Sequence, residues 1–409
     1  MKHFIIVLYI LSAMNTASAK TLDDVHDEAS LQIAVSIANK DSSISEIAFR
    51  PDSSIILYAP VIYSGSQPIK YTGNNAIIDG KNVGNYFVDK DLSASTDDGT
   101  LLFNTASKIE IDNLTVKNSA TRGIVVNIPA DAQGIDSAIS LDRVNISNSA
   151  LHGLHIDDNS GMFDDGIQGS GIGINLNISH SKFIGNGIGA IDFDGIRIDE
   201  RSRGNIHALI RNSHLNGNGG DGIEMDEAGE GDVEVTLVHV TLNNNGFYNK
   251  ADLEDGFDID EAGPGDIETS FYDVEVNNNK DEGLDFDEAG EGDADIKLRY
   301  VHAGYNSDEG IKIDEQGEGE VDVKIYLSTA TGNGDDGIKI TEINKGKIDA
   351  EFYKVTANNN AKYGISIEQW SIEDEQLSGE NDGSLKTTGT TLSGNAKGNN
   401  IKTVNMKIK

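Results

Sequence analysis

The sequence predicts an all-β protein folded as a parallel β-helix, a solenoid whose coils of about 27 residues stack along one axis. A motif of an acidic residue, glycine and two apolar residues separated by one residue occurs six times, at spacings of 27, 34, 27, 27 and 27 residues. A second glycine follows each leading glycine after nine residues, and an asparagine follows it after 23 residues. Such self-similarity indicates repeats that bury their apolar faces against their neighbours. The leading glycines are Gly195, Gly222, Gly256, Gly283, Gly310 and Gly337, and the asparagines are Asn218, Asn245, Asn279, Asn306, Asn333 and Asn360.

Apolar residues alternate between these fixed points, as in Val233, Val235 and Leu237. Period-two alternation predicts strands with one buried face. Three short strands and three corners fit into 27 residues, with glycines of positive φ and left-handed asparagines expected at the corners. Because stacked strands lie about 4.8 Å apart, equivalent residues form columns, and the asparagines predict an amide ladder. Less regular copies of the strand at Gly123, Gly153 and Gly364 extend the array to about ten coils.

The first 19 residues have the pattern of a secretory signal peptide. A basic residue, Lys2, precedes an apolar run over residues 4–14, and small residues at 17–19 form a cleavage site. The sequence contains no cysteine, so it predicts neither disulfides nor a lipid anchor on an N-terminal cysteine. No later stretch is apolar enough to span a bilayer. We expect an exported protein that is secreted, periplasmic or held at the cell surface.

Residues 20–409 are expected to form a single domain in three parts. The region 27–45 contains a helix that caps the first coil, with Asp27 or Ser30 as its N-cap. Regular acidic repeats occupy 194–363, and a basic segment over 383–409 is expected to cover the last coil or, as an alternative, to act as a tether. The apolar stripe of the predicted helix consists of Leu31, Ala34, Val35 and Ala38.

The N-terminal region resembles the pectin-lyase-like superfamily of exported right-handed parallel β-helix proteins. Residues 30–39 match its Ser-Leu-x-x-Ala-Ile-x-x-Ala-Asn helix, with Val35 in place of isoleucine. An Ile-x-Phe strand follows at 47–49, and an Ile-Asp-Gly sequence follows at 78–80. The resemblance implies a right-handed β-helix and leaves the activity open, because this fold carries lyases, hydrolases, epimerases and non-enzymes.

The composition is strongly acidic, with 68 Asp and Glu against 32 Lys and Arg and a formal net charge of −36 at pH 7. Such a charge excludes nucleic acid and anionic membranes as favourable partners, and it attracts cations.

Two columns of polar residues are expected to project outward from the repeated strand, because the apolar residues between them point inward. Carboxylates about 4.8 Å apart repel one another, and regularly spaced oxygen ligands are what Ca²⁺ prefers. The columns therefore predict calcium sites, and the alternative is a solvated acidic face. The first column is His155, Arg197, Glu224, Asp258, Asp285, Lys312 and Lys339. The second column, the predicted metal ligands, is Asp157, Asp199, Asp226, Asp260, Asp287 and Asp314, and an acidic column from Asp158 to Glu342 runs beside it.

A candidate catalytic site lies at the start of the first column, where His155, Arg197 and Glu224 occupy adjacent coils beside an insertion over residues 157–173. The resemblance implies that a basic residue of a polyuronate lyase or epimerase removes the C5 proton of the sugar while cations neutralise its carboxylate. His155 or Arg197 would then be the base, with Asp199 and Asp226 as calcium ligands. The alternative is that both basic residues only offset the acidic columns. The Asp-Pro-His motif of alginate epimerases is missing.

Two hypotheses follow from these patterns. The first is a Ca²⁺-binding surface or matrix protein, with an extracellular glycan as a candidate partner. The second is a polysaccharide lyase or epimerase that acts on an extracellular polyuronate. Six equivalent acidic repeats favour the first hypothesis, and the mixed charges between Gly123 and Glu224 favour the second.

Overall fold

The computed structural model describes residues 19–84, 99–158, 169–248, 253–370 and 383–409. The predicted signal peptide up to residue 18 and residues 159–168 of the predicted insertion lie outside the described residues. Within these described ranges there is one α-helix, α1, which spans Glu28–Ala38.

The strands are numbered in chain order. The first group is β1 (Lys20–Val25), β2 (Ile44–Phe49), β3 (Ser54–Ile56), β4 (Val61–Tyr63), β5 (Ile69–Asp79), β6 (Gly99–Asn104), β7 (Ile109–Lys117), β8 (Arg122–Asn127), β9 (Ser137–Asp142), β10 (Asn145–Ser147) and β11 (Leu154–Asp157). The second group is β12 (Ile174–Ser179), β13 (Lys182–Ile184), β14 (Ile196–Glu200), β15 (Ile206–Asn216), β16 (Ile223–Glu227), β17 (Val233–Thr241), β18 (Phe257–Glu261), β19 (Ile267–Asn277), β20 (Asp287–Glu288) and β21 (Ala294–Gly304). The third group is β22 (Ile311–Glu315), β23 (Val321–Tyr326), β24 (Thr329–Thr331), β25 (Ile338–Ile343), β26 (Ile348–Tyr353), β27 (Thr356–Asn358), β28 (Ile365–Trp370), β29 (Gly383–Thr388), β30 (Thr391–Ser393), β31 (Lys402–Val404) and β32 (Met406–Ile408).

The strands form two long sheets, with 20 and 12 strands among the described residues. In the second sheet the order in space is the order in sequence: β4, β6, β8, β11, β14, β16, β18, β20, β22, β25, β28 and β31. Neighbouring strands pair in parallel throughout this sheet. Each strand therefore pairs with its counterpart one coil earlier and one coil later, which is the arrangement of a parallel β-helix.

The predicted three strands per coil are visible where a long strand meets a divided one. Strand β21 pairs with both β23 and β24 of the next coil. The backbone bends at Tyr300 within β21 and at Leu327 between β23 and β24, where φ is 57° and 55°. Each of these coils thus contributes two segments to the first sheet and one to the second.

The predicted asparagine ladder is confirmed. Each asparagine donates hydrogen bonds from its backbone N and its Nδ2 to the side-chain Oδ1 of the next, as Asn279 does to Asn306 at 3.0 and 3.1 Å. Asn186 and Asn395 extend the ladder at its two ends. We expected the ladder asparagines to be left-handed, and this was wrong. The residue before each of them has the positive φ instead, as at Asn278 with φ of 61°.

The leading glycines are required for space and not for a positive φ, which corrects the sequence-based expectation. A Cβ on Gly222 would lie 2.4 Å from the carbonyl oxygen of Gly256 and 2.8 Å from Nδ2 of Asn245. None of the six leading glycines has a positive φ. Side chains at these positions would therefore separate the coils.

One hydrophobic core runs through the stacked coils from Val25 to Leu385. Helix α1 has Asp27 as its N-cap, in a capping box with Ser30, and packs against β2 and β4. Its buried residues are those of the predicted apolar stripe, Leu31, Ala34, Val35 and Ala38. At the other end the basic segment forms strands that extend both sheets, since β31 pairs with β28 and β32 pairs with β29. No helix among the described residues has the length and apolar character needed to cross a membrane.

Candidate functional site

The second sheet holds the predicted polar columns in register. His155 pairs with Arg197, Arg197 with Glu224, and Glu224 with Asp258. The three predicted catalytic residues therefore lie side by side on adjacent strands. The predicted metal ligands form the neighbouring column, in which Asp157, Asp199, Asp226, Asp260, Asp287 and Asp314 pair in that order.

Much of this outward side is buried, so the alternative of a solvated acidic face is wrong for most of it. His155 is 4% exposed and Arg197 is 8% exposed. In the predicted metal column Asp157, Asp199 and Asp226 are buried as well. Asp260 is exposed, and Asp287 and Asp314 are half-buried. A buried carboxylate must be paired, protonated or bound to a cation, because it loses the hydration that stabilises its charge.

The column of glutamates that ends each repeated strand is buried for a structural reason. Glu227 is 1% exposed, and its Oε1 accepts hydrogen bonds from the backbone N of Gly229 and Gly231 at 3.0 and 3.3 Å. These carboxyl groups thereby satisfy the backbone of the tight turn that follows each strand. Burial, together with the adjacent glutamates, raises the pKa of Glu227 to about 10. The other members of the column are Glu200, Glu261, Glu288, Glu315 and Glu342.

His155 and Asp199 form a buried pair across adjacent strands. Nε2 of His155 lies 2.7 Å from Oδ2 of Asp199, and the imidazole Nδ1 has no hydrogen-bond partner among the described residues. Burial lowers the pKa of His155, and the charge of Arg122 lowers it further, so the ring is neutral. Burial would raise the pKa of Asp199, but Arg197 and the His155 hydrogen bond outweigh it and hold that pKa well below its usual range. The neutral ring therefore donates from Nε2 to an ionised carboxylate and keeps a lone pair on Nδ1.

Arg197 lies at the centre of an ion-pair network. Its Nε donates to Asp199 at 2.8 Å, and its terminal nitrogens contact Glu224 and Asp226. Arg201 contacts the same two aspartates, each at 3.0 Å. Asp199 and Asp226, predicted as calcium ligands, therefore have oxygens directed at guanidinium groups.

His152 belongs to the same cluster and was not among the predicted site residues. Its ring centroid lies 4.9 Å from that of His155, and its Nδ1 accepts a hydrogen bond from the backbone N of Asp194 at 3.0 Å. Burial is the main cause that lowers the pKa of His152 well below its usual range, and the positive charges of Arg122 and Arg197 lower it further. A signal was present in the sequence, because His152 occupies the position before a leading glycine that is acidic in all six regular repeats.

Groups of three carboxylates that could hold a metal ion lie mostly outside the predicted aspartate column. They consist mainly of the acid before each leading glycine and an acid from the first column, with one oxygen from each member lying within 4.8 Å of the others. Five of these groups are Asp194–Asp221–Glu224, Glu224–Asp258–Asp260, Asp255–Asp258–Asp285, Asp255–Asp281–Glu282 and Glu282–Asp308–Glu309. Among the predicted metal ligands, these five groups contain Asp260. Oxygen-only ligand sets of this kind fit a hard cation such as Ca²⁺.

Each strand of the second sheet pairs in parallel with its counterparts in the neighbouring coils, and this pairing identifies the architecture.

The chain is a parallel β-helix.

No model of a known protein family matches the sequence, and no curated protein matches it. A mutant of the periplasmic alginate epimerase AlgG matches with a TM-score of 0.45 and 11% identity, over 89% of this chain and 77% of that one. The A-module of the Azotobacter vinelandii mannuronan C-5 epimerase AlgE4 matches with a TM-score of 0.35 and 13% identity, over 95% and 94% of the two chains. The catalytic domain of a GH87 alpha-1,3-glucanase matches with a TM-score of 0.35 and 9% identity, over 98% and 70%. These are pectin-lyase-like parallel β-helix proteins, the type that the N-terminal sequence resembles. At these values the likeness carries no argument about activity.

Proposed function

We propose that this protein acts on an extracellular polysaccharide as a lyase or epimerase, on a right-handed β-helix of about ten coils, with a polyuronate as the substrate class. The observation that carries the proposal is the His155–Asp199 pair, in which Nδ1 of His155 keeps a lone pair. It lies where the acidic columns give way to histidine and arginine, so this region differs from the equivalent repeats that follow. Catalysis requires one differentiated site of this kind.

The pair suits the removal of a proton from carbon. Nδ1 of His155 accepts the C5 proton of the sugar, and the negative charge of Asp199 stabilises the imidazolium that forms. In a lyase the C4–O4 bond then breaks as the C4–C5 double bond forms, and O4 takes up a proton. In an epimerase C5 regains a proton from the opposite face of the ring. Because His155 is 4% exposed, substrate binding has to displace side chains that cover it.

The positive charge that a sugar carboxylate requires is only partly present in the protein. Arg197 already contacts the carboxylates of Asp199, Glu224 and Asp226. The group Asp194, Asp221 and Glu224 lies beside this network and has the oxygen ligands that a divalent cation prefers. A cation bound there would supply positive charge beside the sugar carboxylate.

A screen of the purified protein against alginate, pectate and other polyuronates, with Ca²⁺ and with chelator, tests the proposal. Lyase activity appears as ultraviolet absorbance of the unsaturated product, and epimerase activity appears as deuterium incorporation at C5 in D₂O. We expect one of the two signals with at least one polymer. Absence of both signals across the panel, in protein that is folded by circular dichroism, contradicts the proposal.

A cation-binding surface or matrix protein is the second candidate function, with Ca²⁺ as the cation. The observation that favours it is the series of three-carboxylate groups along the regular repeats. A ligand that binds only the folded chain raises its stability by RT ln(1 + [L]/Kd). We expect millimolar CaCl₂ to raise the melting temperature above that in chelator, and NaCl of equal ionic strength to raise it less. Equal shifts in the two salts would reject this candidate.

A further inference from the structure

The first column changes the sign of its charge twice along the solenoid. His155 and Arg197 begin it, and Lys312 and Lys339 end it. The three middle positions are Glu224, Asp258 and Asp285. Arg197 contacts Glu224 from one side, and Nζ of Lys312 lies 2.6 Å from Oδ2 of Asp285 on the other. Asp258 is thus the position of the column with an acidic neighbour on both sides.

Three carboxylates converge at this position. One oxygen each from Asp255, Asp258 and Asp285 lies within 4.8 Å of the others. Oδ1 of Asp255 is oriented by the backbone N of Glu282, which donates to it at 2.6 Å. The three groups come from two coils, so the cluster exists only in the stacked protein.

A second observation is independent of the clustering. Asp285 is 6% exposed, and its Oδ1 is buried with no hydrogen-bond partner among the described residues, although Oδ2 is paired with Lys312. Oδ1 of Asp258 is likewise buried without a hydrogen-bond partner in the described part of the chain. Buried polar atoms are almost always satisfied, so each such oxygen calls for a partner such as an ion or a water molecule.

We propose that Asp255, Asp258 and Asp285 bind one divalent cation of the Ca²⁺ class. Three carboxylate oxygens without nitrogen or sulfur match the ligand preference of Ca²⁺, and water completes a coordination number of six to eight. The cation supplies positive charge beside Asp258, as the side chain of Lys312 does beside Asp285. This site is separated from His155 by two positions of the column, and its test does not depend on turnover.

Calorimetric titration with CaCl₂ and thermal melts test the proposal on the full chain. Asp258→Asn removes one ligand charge, and we expect the Ca²⁺ stoichiometry to fall by one. Asp258→Lys supplies a cation in the register of Lys312. We expect this variant to lose the same site and to melt at a higher temperature than the wild type in chelator.

Glu268→Gln is the matched control, because Glu268 is an exposed acid of the same coil, on β19 in the first sheet. It removes the same charge and should leave the calcium stoichiometry at the wild-type value. The proposal is overturned if the wild type binds no Ca²⁺, or if both Asp258 variants retain the wild-type stoichiometry. Because Asp258→Lys is expected to be the more stable variant, a failure of Asp258→Asn to fold would leave that measurement intact.

Discussion

Asn279 donates two hydrogen bonds to Oδ1 of Asn306, one coil further along the solenoid, from its backbone N at 3.0 Å and from its Nδ2 at 3.1 Å. Its own Oδ1 accepts the equivalent pair from Asn245. One buried side chain thus connects three successive coils. The ladder holds the coils in register at the corner where the leading glycines lie, since these glycines have no side chain to fill the space.

Replacing this residue tests the ladder. We expect Asn279→Leu to lower the free energy of unfolding by ~1–3 kcal/mol, because it leaves buried amide groups of the adjacent coils unpaired. Asn177→Leu is the control, since Asn177 is exposed on β12, and its effect should stay within about 0.5 kcal/mol. Urea unfolding followed by circular dichroism measures both. Equal effects of the two substitutions would show that the ladder does not stabilise the stack.

Arg197→Ala tests the buried ion-pair network. Removing one partner of a buried pair leaves uncompensated charge, so we expect a loss of ~3–5 kcal/mol in the free energy of unfolding. Arg203→Ala is the control, because Arg203 is exposed and pairs with an exposed Glu230, and such pairs contribute ~0–1 kcal/mol. Urea unfolding at neutral pH compares the variants. A loss below about 1 kcal/mol for Arg197→Ala would contradict the network.

The pH dependence of stability in chelator should have an unusual direction. Burial is the main cause that raises the pKa of Glu227 to about 10 and that of Glu288 to about 9, both far above the unfolded value of about 4.3. Groups with raised pKa stabilise the folded state fully below the unfolded pKa, and this contribution is lost as pH rises through the folded pKa. We therefore expect the melting temperature to fall between about pH 5 and pH 9. The lowered pKa of His155 acts in the opposite direction, since its protonation in the unfolded chain favours unfolding below about pH 6.5.

Glu288→Gln gives a specific check of this pH dependence. A protonated Glu288 and a glutamine are both neutral, so the variant should be close to the wild type in stability at pH 5 and should lose less stability on going to pH 9. Thermal melts in chelator at the two pH values provide the comparison. A melting temperature that rises with pH in the wild type would show that these carboxyl groups are ionised in the folded protein.

The fold could be predicted to a large extent because a repeat multiplies weak signals. One asparagine at a turn indicates little, but six at a constant offset from glycine predicted the ladder. The spacing did not reveal why glycine is required. At Gly222 the reason is the carbonyl oxygen of Gly256 in the next coil, and such a contact depends on how closely the coils stack.

The candidate site could be predicted only in part. Alternation placed His155, Arg197 and Glu224 side by side, and the strands pair in that way. Alternation distinguishes inward from outward but does not determine burial, so the sequence left both calcium sites and a solvated face open for the outward groups. The approach of His152 to His155 and the return of Arg201 to Asp199 depend on the conformations of turns, which carry no periodic signal.

Activity of a His155 variant tests the proposed function most directly. On the polyuronate that the wild type converts, we expect His155→Gln to lower turnover by about 10²–10⁴-fold, the range for loss of a general base. His214→Gln is the control, because His214 is exposed on β15 in the first sheet, and it should retain wild-type turnover. Wild-type turnover should fall with acid only below about pH 6.5, because the pKa of His155 is lowered. Turnover in His155→Gln equal to that of the control would contradict a catalytic His155 and the site proposed for this function.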